Sequence, residues 1–209
     1  MAQHHVRPPR APRDPEDPAY DWSGSDAFMR QAAAHGIADR VMFTVGADID
    51  RLRWGIDLAR RTRREAGLDP DAIRFGAFIN MACHADIAKA RGLVRGGLTT
   101  YARFSVMHGK ANGPVTAQDR ETLEALRSNY DMKQHTRADS RQAGTLGDDF
   151  VDRFAVVGPP ARCVERLKSL AALGLDKVAI SGGTRGASAE DAAASRALMA
   201  REVIPAMRA

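Results

Sequence analysis

Three short segments hold the residue types from which a site could be built: Val45-Gly46-Ala47-Asp48, Ala82-Cys83-His84 and Ser181-Gly182-Gly183-Thr184. Each closes an apolar run, and in parallel α/β architectures ligands sit where strands end and helices begin. In the third, glycines let backbone amides approach an anion, and Arg185 adds charge at the mouth of the following helix. It matches neither the P-loop nor the dinucleotide fingerprint. Glu190 and Asp191 in the next helical turn repel phosphate while forming a capping box with Ser188, so an anion site and a plain turn stand about even.

Two further groups are polar and aromatic. The run from Tyr101 to Gly109 gathers Arg103, Phe104 and His108 where a helix ends, although for His108 alone helix-end capping outweighs catalysis by about three to one. Tyr130, Asp131, His135 and Arg137 form the other group, which reads equally as a solvated loop. Ser23-Gly24-Ser25 precedes a helix and offers amides to a phosphate, as any small-residue helix start would. The six histidines show no HxxxH or HExxH spacing, so a metal centre has little support, and there is no GxSxG nucleophile elbow. Cys83 and Cys163 are too few for a disulfide framework and read as buried free thiols in a reducing compartment.

The elements that must position these residues alternate. Arg40 to Val45 reads as a short buried strand, and Asp48 as the N-cap of a helix that carries Ile49, Leu52, Ile56 and Ala59 on one stripe to about Glu65. Ile73 to Cys83 is apolar on both faces, as a strand covered by helices would be. A helix from about Ala85 to Val106 follows, with Ile87, Leu93, Val94, Leu98 and Tyr101 inward. His108 to Asp149 breaks the rhythm as an insertion with one helix, Ala117 to Tyr130, and a polar remainder. Phe154 to Val157 is then a strand, Pro159 to Leu173 a helix, Lys177 to Ser181 a strand and Ser188 to Met207 a closing helix. Strand, loop, helix, glycine, strand is the order of right-handed βαβ crossovers on parallel strands.

Composition narrows the classes. With 209 residues, 44% hydrophobic and 27% charged, the chain can bury a core, and no apolar run approaches the roughly 20 residues of a membrane span. A net charge of +5 could suggest nucleic acid, but 31 basic residues face 26 acidic ones and the densest cluster, Arg60 to Arg64, reads as a solvated helix end. Residues 1–22 hold five of the ten prolines and almost nothing apolar, so a disordered arm is expected there.

Five longer strings, ADRVMFTVGADIDRLRWGIDLAR, IRFGAFINMACH, ARFSVMHGKANGPV, YDMKQHT and FAVVGPPARCVERLKSLAALGLDKVAIS, carry a resemblance. Together they are similar to the C-terminal half of the luciferase-like flavin-dependent oxidoreductases, close to the methylenetetrahydromethanopterin reductases that use the deazaflavin coenzyme F-420. The resemblance implies a (β/α)8 barrel with the ring at the carboxyl ends of its strands. Arg40 to Val45 then corresponds to the sixth strand, Ile73 to Cys83 to the seventh, 108–149 to an excursion and Lys177 to Ser181 to the eighth. The first four strands have no counterpart, and fewer residues follow Trp22 than the roughly 200 to 250 such a barrel needs. The expected fold class is therefore α/β, a partial TIM barrel over 23–209. An open half-barrel would expose edge strands and one apolar wall.

By the same resemblance Ser23, Gly24, Gly46 and Ala47 would bind the cofactor, and His108, Tyr130 and His135 would line the substrate side. The implied function is an oxidoreductase or monooxygenase acting on a small organic substrate with FMN or coenzyme F-420, in a truncated chain that by itself retains neither cofactor. The alternative is a non-catalytic half-barrel, a remnant or subunit that dimerises through its open edge or complements a separate N-terminal half. A cytoplasmic homo-oligomer without nucleic-acid or membrane partners is expected.

Overall fold

The computed structural model describes residues 40–106, 109, 111, 113–181 and 183–208. The expected arm, Ser23, Gly24 and His108 lie outside them. Strand β1 (Arg40–Phe43) leads through a turn to α1 (Ile49–Glu65), which begins as its sequence asks: the Asp48 carboxylate accepts the Arg51 amide at 2.9 Å, and Leu52 and Ile56 face inward.

The long apolar run does not form one strand. It divides into β2 (Arg74–Ile79) and β3 (Met81–Cys83) at Asn80, because there the chain changes partners. On one side of the break β2 pairs in parallel with β1 and with β5 (Leu175–Ile180), giving the order β1-β2-β5. On the other side β3 pairs in parallel with β4 (Val156–Gly158). The Asn80 carbonyl accepts the Val156 amide at 3.0 Å, and its side-chain amide donates to the Ser181 carbonyl at 3.1 Å, so one residue serves both sheets.

Helix α2 (Ile87–Phe104) follows β3, capped by Asp86, with Leu93, Val94 and Leu98 buried while Ile87 and Tyr101 are only half-buried. The excursion holds more order than its polar sequence predicts: α3 (Ala117–Asn129), a 3-10 turn at Met132–Gln134, α4 (Arg141–Gly144) and α5 (Asp148–Phe154). Phe154, expected to open a strand, instead ends α5. Its ring stacks on Phe150 one turn earlier, with centroids 4.1 Å apart, and that pairing requires helical spacing. Helix α6 (Pro160–Ala171) then leads to β5, and the chain closes with α7 (Ala189–Leu198), a π-turn at Met199–Val203 and α8 (Ile204–Ala206).

Two cores result. Leu52, Ile56, Phe75, Ala77, Ile79, Cys163, Leu167, Leu170 and Val203 fill the space between the strands and their flanking helices. Leu93, Val94, Leu98, Leu123, Leu126, Leu146, Phe150 and Phe154 form the second, between α2 and the excursion. Among the described residues neither β1 nor β5 has a neighbour on its outer edge. The expected apolar wall is replaced by a mixed surface. Paired residues of parallel strands share a face, and the face turned away from the helical layer carries Arg40, Met42, Gly76, Phe78, Lys177 and Ala179. At its amino end the Arg40 guanidinium grips Asp176 with contacts of 2.7 and 3.2 Å, holding that carboxyl below its ordinary range.

Candidate functional site

The excursion lays its polar segment over α2 and the loop that leaves β5. Arg185 donates its amide to the Thr136 carbonyl at 2.8 Å, and Ala138 donates to the Arg185 carbonyl at 2.9 Å, so residues 136–138 and 185 form a short parallel bridge. Gly96 allows this approach: a Cβ there would lie 2.5 Å from the Thr136 carbonyl oxygen. Thr136 itself takes φ 61°, a strained position that the surrounding bonds enforce.

This docking brings together residues far apart in sequence. The Tyr130 hydroxyl lies 2.7 Å from His135 Nδ1, and His135 Nε2 lies 3.5 Å from the Thr100 hydroxyl. Beside them the Tyr101 hydroxyl is hydrogen-bonded to that of Ser181, the residue that follows β5. The Arg103 guanidinium sits 4.6 Å from the centroid of the Tyr130 ring. A neutral imidazole carries one proton, so when Tyr130 donates to Nδ1 the proton on Nε2 faces Thr100. The pair can thus pass a proton along the hydrogen bond at the Tyr130 oxygen, and the Arg103 guanidinium stacks on the ring.

Gln142 is what positions the pair. Fully buried, it accepts the Asp131 amide at 2.9 Å and donates to the carbonyls of Asp131 and Gln134 at 3.1 and 3.3 Å. These bonds clamp the turn between Tyr130 and His135. Sequence reading missed Gln142, Thr100 and Asn80, since each acts through partners remote in sequence and nothing local marks a buried amide or hydroxyl.

Gly46 and Ala47 lie in the turn after β1. Gly46 takes φ +78°, and the Ala47 amide donates to the Phe154 carbonyl at 2.8 Å. The Ala47 carbonyl accepts from Arg166 at 2.8 Å. His84 follows β3 and accepts the Asp86 amide on Nδ1 at 3.0 Å, which directs its Nε2 toward Asp191, 3.7 Å away. Cys83 and Cys163 are both buried and free, as expected, and burial pushes the Cys163 thiol up to about 12. Among the described residues no group of three His, Cys, Asp or Glu is placed to hold a metal ion, and no helix is long and apolar enough to cross a membrane.

The family model of the luciferase-like monooxygenases matches residues 2–177. The chain belongs to that family. No curated protein matches it. Among solved structures, the coenzyme F-420-dependent tetrahydromethanopterin reductase of Methanopyrus kandleri superposes with a TM-score of 0.53 at 17% identity, over 80% of this chain and 45% of that one. The luciferase-like chain therefore spans less than half the length of that relative, and the likeness is one of fold. That fold is a partial TIM barrel, with parallel strands in the order β1-β2-β5 and helices outside them.

Proposed function

We propose that this luciferase-like chain supplies the substrate-side wall of an oxidoreductase that works with FMN or coenzyme F-420 on a small organic molecule. The observation behind the reading is the joining of Tyr130, His135 and Thr100, next to Tyr101 and Ser181, at the carboxyl end of β5. In barrels of this kind that end carries the chemistry. The bound ring would supply hydride transfer. Tyr130 and His135 would orient the substrate and hold a proton at the Tyr130 oxygen, with His108 completing that side.

The proposed cofactor residues divide. Ser23 and Gly24 remain a proposal for the cofactor's tail. Gly46 and Ala47 remain a proposal for the loop that meets the cofactor by backbone contact, with the Ala47 amide given to the Phe154 carbonyl at 2.8 Å. No reaction step is assigned through them.

Titration of the chain with FMN and, separately, with coenzyme F-420 tests the reading. The expected result is no ring absorbance retained after gel filtration, near ~450 nm for flavin or ~420 nm for deazaflavin. At excess ring compound a saturable shift of the His135 imidazole resonances is expected with one of the two. No shift with either would overturn the proposal. A second reading, a half-barrel that pairs through its open edge, is favoured by the outer side of β5, which has no strand neighbour among the described residues, and by Ile180, which is 48% exposed. Light scattering that shows a monomer at every concentration would sink it.

A further inference from the structure

Helix α7 meets β3 where the Cys83 amide donates to the Ser195 hydroxyl at 3.0 Å, and leaves a space beside that contact. Ala192, Ser195, Arg196 and Met199 recur at helical spacing along one side of it, and apart from Met199 that side is small or polar. The loop opposite, with Gly183, Thr184 and Ala187, is small as well. Between them and the strands lies a cavity of about 470 Å³ whose floor is Met81, Leu93 and Ile180. That volume is in the range of small-molecule sites, with an apolar body and few polar groups.

Four polar residues line the cavity, Ser181, Thr184, Ser195 and Arg196, and one of them is charged. Arg196 lines the cavity and, among the described residues, makes no ion pair. The Ser181 hydroxyl is hydrogen-bonded to that of Tyr101, and the Ser195 hydroxyl accepts the Cys83 amide at 3.0 Å, so both are already engaged. The Thr184 hydroxyl is committed, accepting the Gly97 amide at 3.2 Å, so it fixes the loop rather than the guest. Asp191, the carboxylate nearest in sequence, is neutralised by Lys89 at 2.9 Å on the far side of the helix start. A guanidinium that has no ion pair among the described residues, at the rim of an apolar cavity, selects an anion with a hydrophobic tail. The anion site that the sequence left even with a plain turn thus acquires a partner from α7, one helix beyond Arg185.

We propose that this cavity binds a small amphipathic carboxylate, its alkyl or aryl body against Met81, Leu93, Ile180 and Met199 and its carboxylate on Arg196. The proposal does not depend on the Tyr130 site, and it requires no cofactor. Decanoate titrated into the full chain, carrying methyl-labelled methionine, provides the test. Saturable shifts of the Met81 and Met199 methyls are expected. Arg196→Gln should weaken binding by about tenfold or more, as loss of a charge-assisted hydrogen bond does, while Arg196→Lys restores part of it. Ala192→Leu, which fills the cavity, should abolish the shifts and raise the melting temperature. Equal binding of decanoate, decanol and decylamine, equal binding by Arg196→Gln, or shifts confined to other methionines would each overturn the proposal.

Discussion

The two cores are held by different means. Around β1, β2 and β5 the work is done by apolar stripes on long elements: α1 and α6 each bury one face, and the buried residues there are almost all hydrocarbon or thiol. In the excursion α4 has only four residues, and helices that short do not persist on their own propensity. Buried polar groups make up the difference. Ser140 caps α4 and donates to the Arg137 carbonyl at 2.8 Å, Gln142 clamps the turn before it, and Asp119 closes a capping box with Thr116 while pairing with Arg153. Arg51, buried in α1, donates to the Pro114 carbonyl and the Ser105 hydroxyl, joining one region to the other. Long elements can be specified by period, whereas short ones need named hydrogen bonds.

The largest test of that contrast lies at the seam. Phe154 belongs to the helical core, yet its carbonyl holds the turn after β1. Phe154→Ala should cost about 3–5 kcal/mol. If the two cores melt as one, tryptophan fluorescence at Trp54, which packs on Gly113, and far-ultraviolet circular dichroism will lose their transitions together. Separate midpoints would show two units instead.

Gln142→Leu should come next, at about 3 kcal/mol, because it orphans an amide and two carbonyls that water cannot reach. It should also broaden the His135 resonances, whereas a Leu52→Ala variant of comparable cost in the strand core should leave them unchanged. Urea titration and imidazole spectra check both. Gly96→Ala is expected to cost about 1–3 kcal/mol and to loosen the bridge between 136–138 and 185, seen as faster amide exchange at Ala138 and Arg185.

The acid response is smaller and specific to the joint between the regions. Asp152 is gripped by Arg91 of α2 at 2.8 Å and by Arg162 of α6 at 2.9 Å, and the hydrogen bond from Arg91 is the main cause that holds its carboxyl below the ordinary value. A depressed carboxyl contributes stability above its unfolded pKa, near ~3.9, and loses it as pH falls through the folded value. Arg91→Met should therefore make the loss of stability below about pH 4 shallower than in the parent chain. The slightest effect concerns the thiols: at pH 8, iodoacetamide should leave Cys83 and Cys163 unmodified in the folded chain and label both in denaturant, since burial keeps each protonated.

How much was legible follows the same division. The Asp48 cap, the stripe on α1 and the parallel order of strands are written in residue types a few positions apart, and each is found where the pattern puts it. Phe154 was misread as the start of a strand because a short apolar run has no period of its own, and its stacking on Phe150 decided the matter. Tyr130 and His135 could be named from the string they sit in. That they meet Thr100, and that Gln142 holds them, depends on bonds across the fold.

By itself the amino-acid sequence determined the lineage, the alternation of strand and helix and most of what is buried, since hydrophobic period and capping residues act locally and survive without knowledge of neighbours. Tertiary structure alone decided where the apolar run from Ile73 to Cys83 breaks, which buried amide clamps which turn, and that a small, polar helix side leaves an open cavity. Those outcomes rest on the packing and pairing of groups remote along the chain, where free energy depends on distances that no local pattern encodes.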